Sequence, residues 1–85
     1  MKIYFHSTFF KKFKKLPRNV RSHTKEKIII FKKDPLDPSL GTHKLHGKLK
    51  DFFAFSITNK YRVIFDFVDK SKVRFMTIDT HDVYK

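Results

Sequence analysis

Hydrophobic residues near the start of the chain recur at helical spacing. Phe9, Phe13 and Leu16 recur every three or four residues while lysines fill the remaining positions, which predicts an amphipathic helix. Ser7 or Thr8 can cap the start of this helix by accepting from its exposed backbone N–H groups. The residues before it, "KIYF", predict a short first strand.

A second helix is predicted directly after the first. Pro17 interrupts the first helix and can open the second, because the first turn of a helix does not need its missing N–H. The predicted inner stripe consists of Val20, Thr24, Ile28 and Phe31. Asp34-Pro35 predicts the end of this helix, because the residue before a proline is disfavoured in the α conformation.

The second half of the chain changes to a period of two. Residues 34–47 form a loop that contains both glycines, and alternating apolar positions then predict strands over 53–57, 61–68 and 73–78. Short polar turns at 59–60 and 69–72 make these strands an antiparallel meander. The sequence therefore predicts one α+β domain over 1–85, with two N-terminal helices packed on a small antiparallel sheet in the order β-α-α-β-β-β.

The charge of the chain is strongly positive and unevenly distributed. Twenty Lys and Arg face eight Asp and Glu, and residues 1–33 hold eleven of the basic residues but only one acidic residue. Such a chain is expected to bind polyanions: nucleic acid, an acidic protein or an anionic membrane. The absence of cysteine excludes disulfides and thiol chemistry. The longest apolar run is too short to cross a bilayer, and we expect a cytoplasmic protein without a membrane partner.

The side chains suited to chemistry fall into three places. They are the loop group His43, Lys44, His46, Lys48 and Lys50, the strand residue Arg62, and the chain-end group His81, Asp82 and Tyr84. In an antiparallel meander one strand starts where the next one ends, so Arg62 and the chain end are expected at the same end of the sheet. The proximity of the loop group does not follow from this topology.

Together these side chains suit RNA cleavage by acid–base catalysis. RNA carries its own nucleophile, the 2′-OH, so cleavage needs a base, an acid and cations on the phosphate. Histidine can serve as acid or base near neutral pH, and arginine binds phosphate through a bidentate fork. Tyrosine can stack on a base or donate a hydrogen bond. The chemistry requires no metal or cofactor.

Each group also has a simpler interpretation. His43-x-x-His46 could bind a metal, Arg62 could be an exposed strand residue paired with Asp66, and Tyr84 could close the sheet edge by hydrophobic contact. The helix lysines could be a solvated face, or could place the first helix on anionic lipid.

In order and spacing, several motifs resemble the RelE/ParE toxin superfamily of bacterial toxin–antitoxin modules. They are "KKLPRNVR", "DPL", "HKLHGKLKDFFAFSI", "YRVIFDF" and the terminal "IDTHDVY". The resemblance covers nearly the whole chain. It implies a small toxin that is neutralised by a partner antitoxin and that, in many members, cuts mRNA in the ribosomal decoding site.

The resemblance also assigns roles to individual residues. His43 matches the loop histidine of YafQ-like nucleases, and Arg62 matches the phosphate-stabilising arginine of RelE-like and YoeB-like members. His81 matches the C-terminal catalytic histidine of YafQ-like and YoeB-like toxins, and Tyr84 the C-terminal tyrosine of RelE-like and YoeB-like ones. RNA-backbone contacts are expected from Lys44, His46, Lys48 and Lys50.

The sequence also departs from each subgroup. Ser56 and Lys60 stand where YafQ-like toxins carry a histidine and an aspartate, and Phe53 and Phe55 stand where RelE-like toxins carry basic residues. The sequence therefore leaves two alternatives to an mRNA endoribonuclease. One is a ParE-like inhibitor of DNA gyrase without nuclease activity, and the other is a catalytically degraded homologue that binds RNA or the antitoxin.

Overall fold

The computed structural model describes residues 1–80 and confirms the predicted α+β class. Its main elements are β1 (Lys2–Phe5), α1 (Ser7–Lys15), α2 (Arg18–Lys33), β2 (His43–Lys44), β3 (Phe53–Ser56), β4 (Tyr61–Asp69) and β5 (Lys72–Thr80). Single turns of 3-10 helix lie at Pro38–Leu40 and Gly47–Leu49. No helix within this part of the chain is both long and apolar enough to span a membrane.

The strands form one five-stranded sheet in the order β1-β5-β4-β3-β2. The meander is antiparallel as predicted, but β1 pairs parallel to β5, so the sheet is mixed. The alternation of apolar and polar residues identifies a half-buried strand but does not show which strand it pairs with. The direction of the β1–β5 pairing was therefore not available from the sequence. The two-residue strand β2 lies within the predicted loop and pairs antiparallel to β3.

The start of α1 differs from the prediction. His6, rather than Ser7 or Thr8, is the capping residue, and its Nδ1 accepts from the Thr8 backbone N–H at 3.1 Å. The helix therefore begins at Ser7, one residue earlier than a Ser7 cap implies and two earlier than a Thr8 cap implies. An imidazole nitrogen can replace the usual hydroxyl or carboxylate because it too offers a lone pair to an unpaired N–H.

The second helix packs the predicted stripe against the core, with Ile28 partly buried. Val20, Thr24 and Phe31 are buried, and the Thr24 hydroxyl donates to the Val20 carbonyl at 2.7 Å, which satisfies a polar group inside the core. The helix ends at Lys33, directly before Asp34. The prediction from the Asp-Pro pair is therefore confirmed.

The core on the helix side of the sheet is aromatic. Phe31 lies at its centre, with ring centroids 5.0–5.2 Å from those of Phe55, Phe65 and Phe75, and all four rings are fully buried. Phenylalanine supplies much apolar area per residue, which suits a core this small. This face of the sheet is therefore filled by core side chains.

The opposite face of the sheet carries a smaller apolar cluster. Ala54 and Ile64 are buried there beneath Leu45, and the partly buried Leu49 and Phe52 pack against them. The segment over 45–52 thus folds back over part of this face. Next to the segment over 45–52, polar side chains on the same face of the sheet border a depression.

Candidate active site

Arg62 is a buried arginine at the start of β4. Its neighbour Val63 points into the helix-side core, so the alternation of the strand directs Arg62 to the opposite face. Its register partners on the adjoining strands are Ser56 and Asp79, and only 6% of its surface is exposed. The simpler interpretation as an exposed residue paired with Asp66 is wrong.

Asp66, which the simpler interpretation paired with Arg62, pairs with a different arginine. Asp66 accepts two hydrogen bonds from Arg74, from Nε at 3.2 Å and from Nη2 at 2.7 Å. These bonds and the charge of Asp66 raise the pKa of Arg74. Arg74 and Asp66 are register partners near the far ends of β5 and β4, away from Arg62.

His43 approaches the same face from the loop. It forms part of β2, opposite Ala54, and its Nδ1 lies 2.9 Å from the Gly41 carbonyl oxygen. Gly41 has a φ of +60°, a conformation in which glycine is favoured, and this turn brings its carbonyl to the imidazole. When Nδ1 carries the proton and donates to that carbonyl, Nε2 presents the lone pair that a general base needs.

The loop and Arg62 share one pocket of about 190 Å³. It is lined by His43, Lys44, Leu45, His46, Leu49 and Arg62. The structure therefore brings the loop histidines and the strand arginine together, which the topology alone did not predict. Lys48 and Lys50 are exposed on the same segment and do not line the pocket.

The chain-end candidates His81 and Tyr84 lie outside the described residues. The last described residue, Thr80, pairs with Tyr61, the neighbour of Arg62. The chain thus leaves β5 at the end of the sheet that carries the pocket. The roles of His81 and Tyr84 stay predictions.

Two charged residues that were not predicted for the site, Asp79 and Lys12, form an ion pair, and Asp79 lies across the strand from Arg62. Asp79 is the cross-strand partner of Arg62, and its side chain is 12% exposed. The ammonium of Lys12, from α1, lies 3.5 Å from an oxygen of that carboxylate. The position of Asp79 opposite Arg62 could have been predicted from "TIDTH" and "YRVIF" only if the register between the two strands had been known.

The described part of the chain offers no evident metal site. Across residues 1–80, no three histidine or acidic side chains cluster closely enough to hold an ion. His43 and His46 both line the pocket, and the groups around them are lysine, leucine and arginine. Cationic neighbours disfavour a bound cation and favour an anion such as phosphate.

Basic side chains also dominate the helices. The lysines of α1 at 11, 12, 14 and 15 are all exposed, and the last turn of α2 adds exposed Lys32 and Lys33. Cations at helix C-termini interact favourably with the helix dipole, so part of this pattern supports the helices themselves. Their number also makes the exposed surface of the two helices strongly positive.

No family model matches the chain, and no curated protein matches its sequence. Among solved structures, the chain is similar to a copper-bound mutant toxin from Helicobacter pylori, with 27% identity, a TM-score of 0.77, and 100% of this chain and 99% of that chain covered.

Two further structures show the same architecture. YafQ from E. coli strain BL21(DE3) has 16% identity and a TM-score of 0.78, and the match covers 96% of this chain and 94% of YafQ. A RelBE toxin–antitoxin complex from Mycobacterium tuberculosis has 20% identity and a TM-score of 0.77, with 94% and 96% covered. The chain therefore has the fold of the RelE/ParE toxin superfamily, as the resemblance of its motifs predicts.

Proposed function

We propose that this protein is the toxin of a type II toxin–antitoxin module and that it cleaves mRNA on the ribosome. The observation that carries the proposal is the shared pocket, in which a loop histidine and a buried arginine face one depression on the open side of the sheet. A base and a phosphate-binding cation are two of the three groups that cleavage by the RNA 2′-OH requires, the third being an acid. The fold shared with YafQ and RelBE supports the same function.

The proposed reaction assigns one role to each group. The 2′-oxygen attacks the phosphorus as one histidine, the base, removes its proton. The bond from phosphorus to the 5′-oxygen breaks, and the other histidine, the acid, protonates the leaving oxygen. His43 and His81 form the proton-transfer pair, and Arg62 stabilises the charge that develops on the phosphate. Tyr84 stacks on or orients a base.

The surroundings of the pocket suit a polyanionic substrate. Lys44 and His46 line it, and Lys48 and Lys50 are exposed nearby on the same segment, where they can hold the RNA backbone. The basic helices would contact ribosomal RNA. An acidic segment of the cognate antitoxin could cover the same positive surface, which would relieve the self-repulsion of a chain with a formal charge of +12.

The proposal is tested by replacing the pocket histidine beside a matched histidine. His43→Ala is expected to slow mRNA cleavage on programmed ribosomes about 100-fold, the usual loss when a general acid or base is removed. His23→Ala is the control, because His23 is exposed on α2 beside Glu26. Its rate is expected to equal that of the unaltered protein.

Mapping of mRNA 5′ ends after brief induction decides between the alternatives. New 5′ ends that depend on His43 support the nuclease. Intact mRNA together with a DNA-damage response would contradict it and favour the gyrase inhibitor. RNA binding that weakens with salt, without any cut product, would instead indicate a degraded homologue.

A further inference from the structure

His46 occupies the capping position of a short helical turn, but its side chain does not cap that turn. Its backbone is extended, with φ −125° and ψ 171°, and Gly47–Leu49 follow as a single 3-10 turn to which the imidazole makes no capping hydrogen bond. His6 behaves differently, because its Nδ1 accepts from the Thr8 backbone N–H at the start of α1. The imidazole of His46 is therefore not used to hold its own turn.

The segment around His46 is anchored on both sides by apolar contacts. Leu45 is 7% exposed and belongs to the smaller apolar cluster, and the partly buried Leu49 packs against the same cluster. The Leu45 backbone N–H also donates to the Phe52 carbonyl at 2.9 Å. The backbone at His46 is therefore held over the open face of the sheet.

His46 lines the same pocket as His43 and Arg62. The pocket, at about 190 Å³, is smaller than the roughly 300–1,000 Å³ of sites that hold drug-sized ligands, so it suits a group the size of one phosphodiester. His43 Nδ1 lies 2.9 Å from the Gly41 carbonyl oxygen, which leaves Nε2 of His43 for the base. A phosphate bound in this pocket would therefore meet His46 and Arg62 as well as the base.

We propose that His46 is a catalytic residue whose imidazolium donates a hydrogen bond to a non-bridging oxygen of the scissile phosphate. This inference rests on the proposed function and deepens it, because it gives His46 a role in the transition state beyond a contact with the RNA backbone. The proton stays on the imidazole, so the two proton transfers remain with His43 and His81. His46 and Arg62 together bind the oxygens on which charge develops.

The charge of the phosphate favours such a donor most in the transition state. A phosphodiester carries one negative charge, and attack by the 2′-oxygen adds a second before the 5′-oxygen leaves. A cationic donor therefore interacts more strongly with the transition state than with bound RNA, and interactions of this kind raise kcat. A histidine that only held the RNA backbone would act on KM instead.

The test compares His46→Gln and His46→Lys with His23→Gln. His46→Gln is expected to lower kcat on programmed ribosomes about 10-fold, less than the loss of a whole donor costs because the amide can still donate. KM stays the same, and His46→Lys, which keeps a cationic donor, recovers part of the lost kcat. His23 is exposed on α2, and His23→Gln leaves both constants unchanged.

A sulfur atom in the substrate reports contact with the scissile phosphate. Sulfur in place of one non-bridging oxygen weakens a hydrogen bond to that position, so the unaltered protein should cleave one of the two diastereomers more slowly. In His46→Gln the ratio of the oxygen rate to the sulfur rate for that diastereomer is expected to fall toward one.

Any of four outcomes would overturn the proposal. They are an unchanged kcat in His46→Gln, a rise in KM that accounts for the whole loss, no recovery in His46→Lys, or a sulfur effect that is the same in His46→Gln as in the unaltered protein. Circular dichroism of each variant first establishes that it folds.

An NMR titration of the unaltered protein tests the contact without any variant. With an added 2′-O-methyl oligoribonucleotide, the imidazole resonances of His46 are expected to shift and those of His23 to stay in place. Unshifted His46 resonances at saturation, in a protein that cleaves RNA, would overturn only the role of His46. Absence of cleavage by the unaltered protein would instead reject the proposed function, and with it the catalytic role.

Discussion

The two ends of the β4–β5 ladder carry the same pair of residue types in different surroundings. At the turn end, Arg74 and Asp66 are 46% and 19% exposed and join through two hydrogen bonds. At the pocket end, Arg62 and Asp79 are largely buried, and the arginine lines a cavity. Burial, rather than residue type, therefore separates a surface ion pair from a candidate site.

The physical reason is the dielectric response of water. Exposed charges are screened, and a surface pair gains little net free energy because the separated ions are also well solvated. Buried charges interact more strongly with each other and with any anion that enters. An arginine at the pocket end can therefore act on a phosphate in a way that the turn-end arginine cannot.

The largest contrast is expected from conservative changes of the two arginines. Arg62→Lys retains the charge and loses the bidentate fork, and we expect mRNA cleavage to fall about 100-fold, a loss typical for removal of a transition-state hydrogen-bond donor. Arg74→Lys makes the same chemical change outside the pocket. The cleavage rate of Arg74→Lys is expected to match that of the unaltered protein. Equal losses in the two variants would contradict the claim that the two ends of the ladder differ in function.

A smaller effect is expected from the apolar wall of the pocket. Leu45 is 7% exposed and packs with Ala54 and Ile64, so Leu45→Ala should reduce the free energy of unfolding by about 2–3 kcal/mol and loosen the covering segment. Leu36→Ala, at a position 70% exposed, serves as the control. Urea denaturation measures both, and no difference between them would contradict the assignment of Leu45 to the second apolar cluster.

The smallest effect on stability is expected at the turn between β4 and β5. Donation from the Ser71 backbone N–H, followed by the Ser71 hydroxyl and the charge of Lys72, lowers the pKa of Asp69. A carboxyl whose pKa is lower in the folded state stabilises the protein above its unfolded pKa and loses that contribution as pH falls.

Asp69→Asn should therefore be slightly less stable than the unaltered protein at pH 7. The difference should shrink as the pH falls below about 4. Urea midpoints at pH 7 and pH 3 measure this. A difference that grows on acidification would contradict the assigned direction.

Periodicity predicted the elements that are defined by local sequence. The inner stripe of α2, with Val20, Thr24 and Phe31 buried and Ile28 partly buried, followed from helical spacing. The helix end at Lys33 followed from the Asp-Pro pair. The meander followed from the change to a period of two. These features depend on neighbours in the chain, which the sequence shows directly.

Features that depend on distant parts of the chain were not predictable in the same way. The parallel pairing of β1 with β5 and the folding of Leu45 over Ile64 join segments far apart in sequence. The pairing of Arg62 with Asp79 also depends on a register shift between Ile64 and Phe65. Counting alternate residues does not reveal such an irregularity, and the predicted last strand ended at Ile78, one residue before Asp79, so Asp79 was missed.

The central claim, that the pocket end of the sheet binds RNA phosphate, is tested most directly by NMR titration with a 2′-O-methyl oligoribonucleotide, which cannot be cleaved because its 2′-hydroxyls are blocked. Resonances of His43 and of the Arg62 side chain are expected to shift with added RNA, and those of Asp66 and Arg74 to stay in place. Shifts confined to α1 and α2, with Arg62 and His43 unaffected at saturation, would contradict the claim.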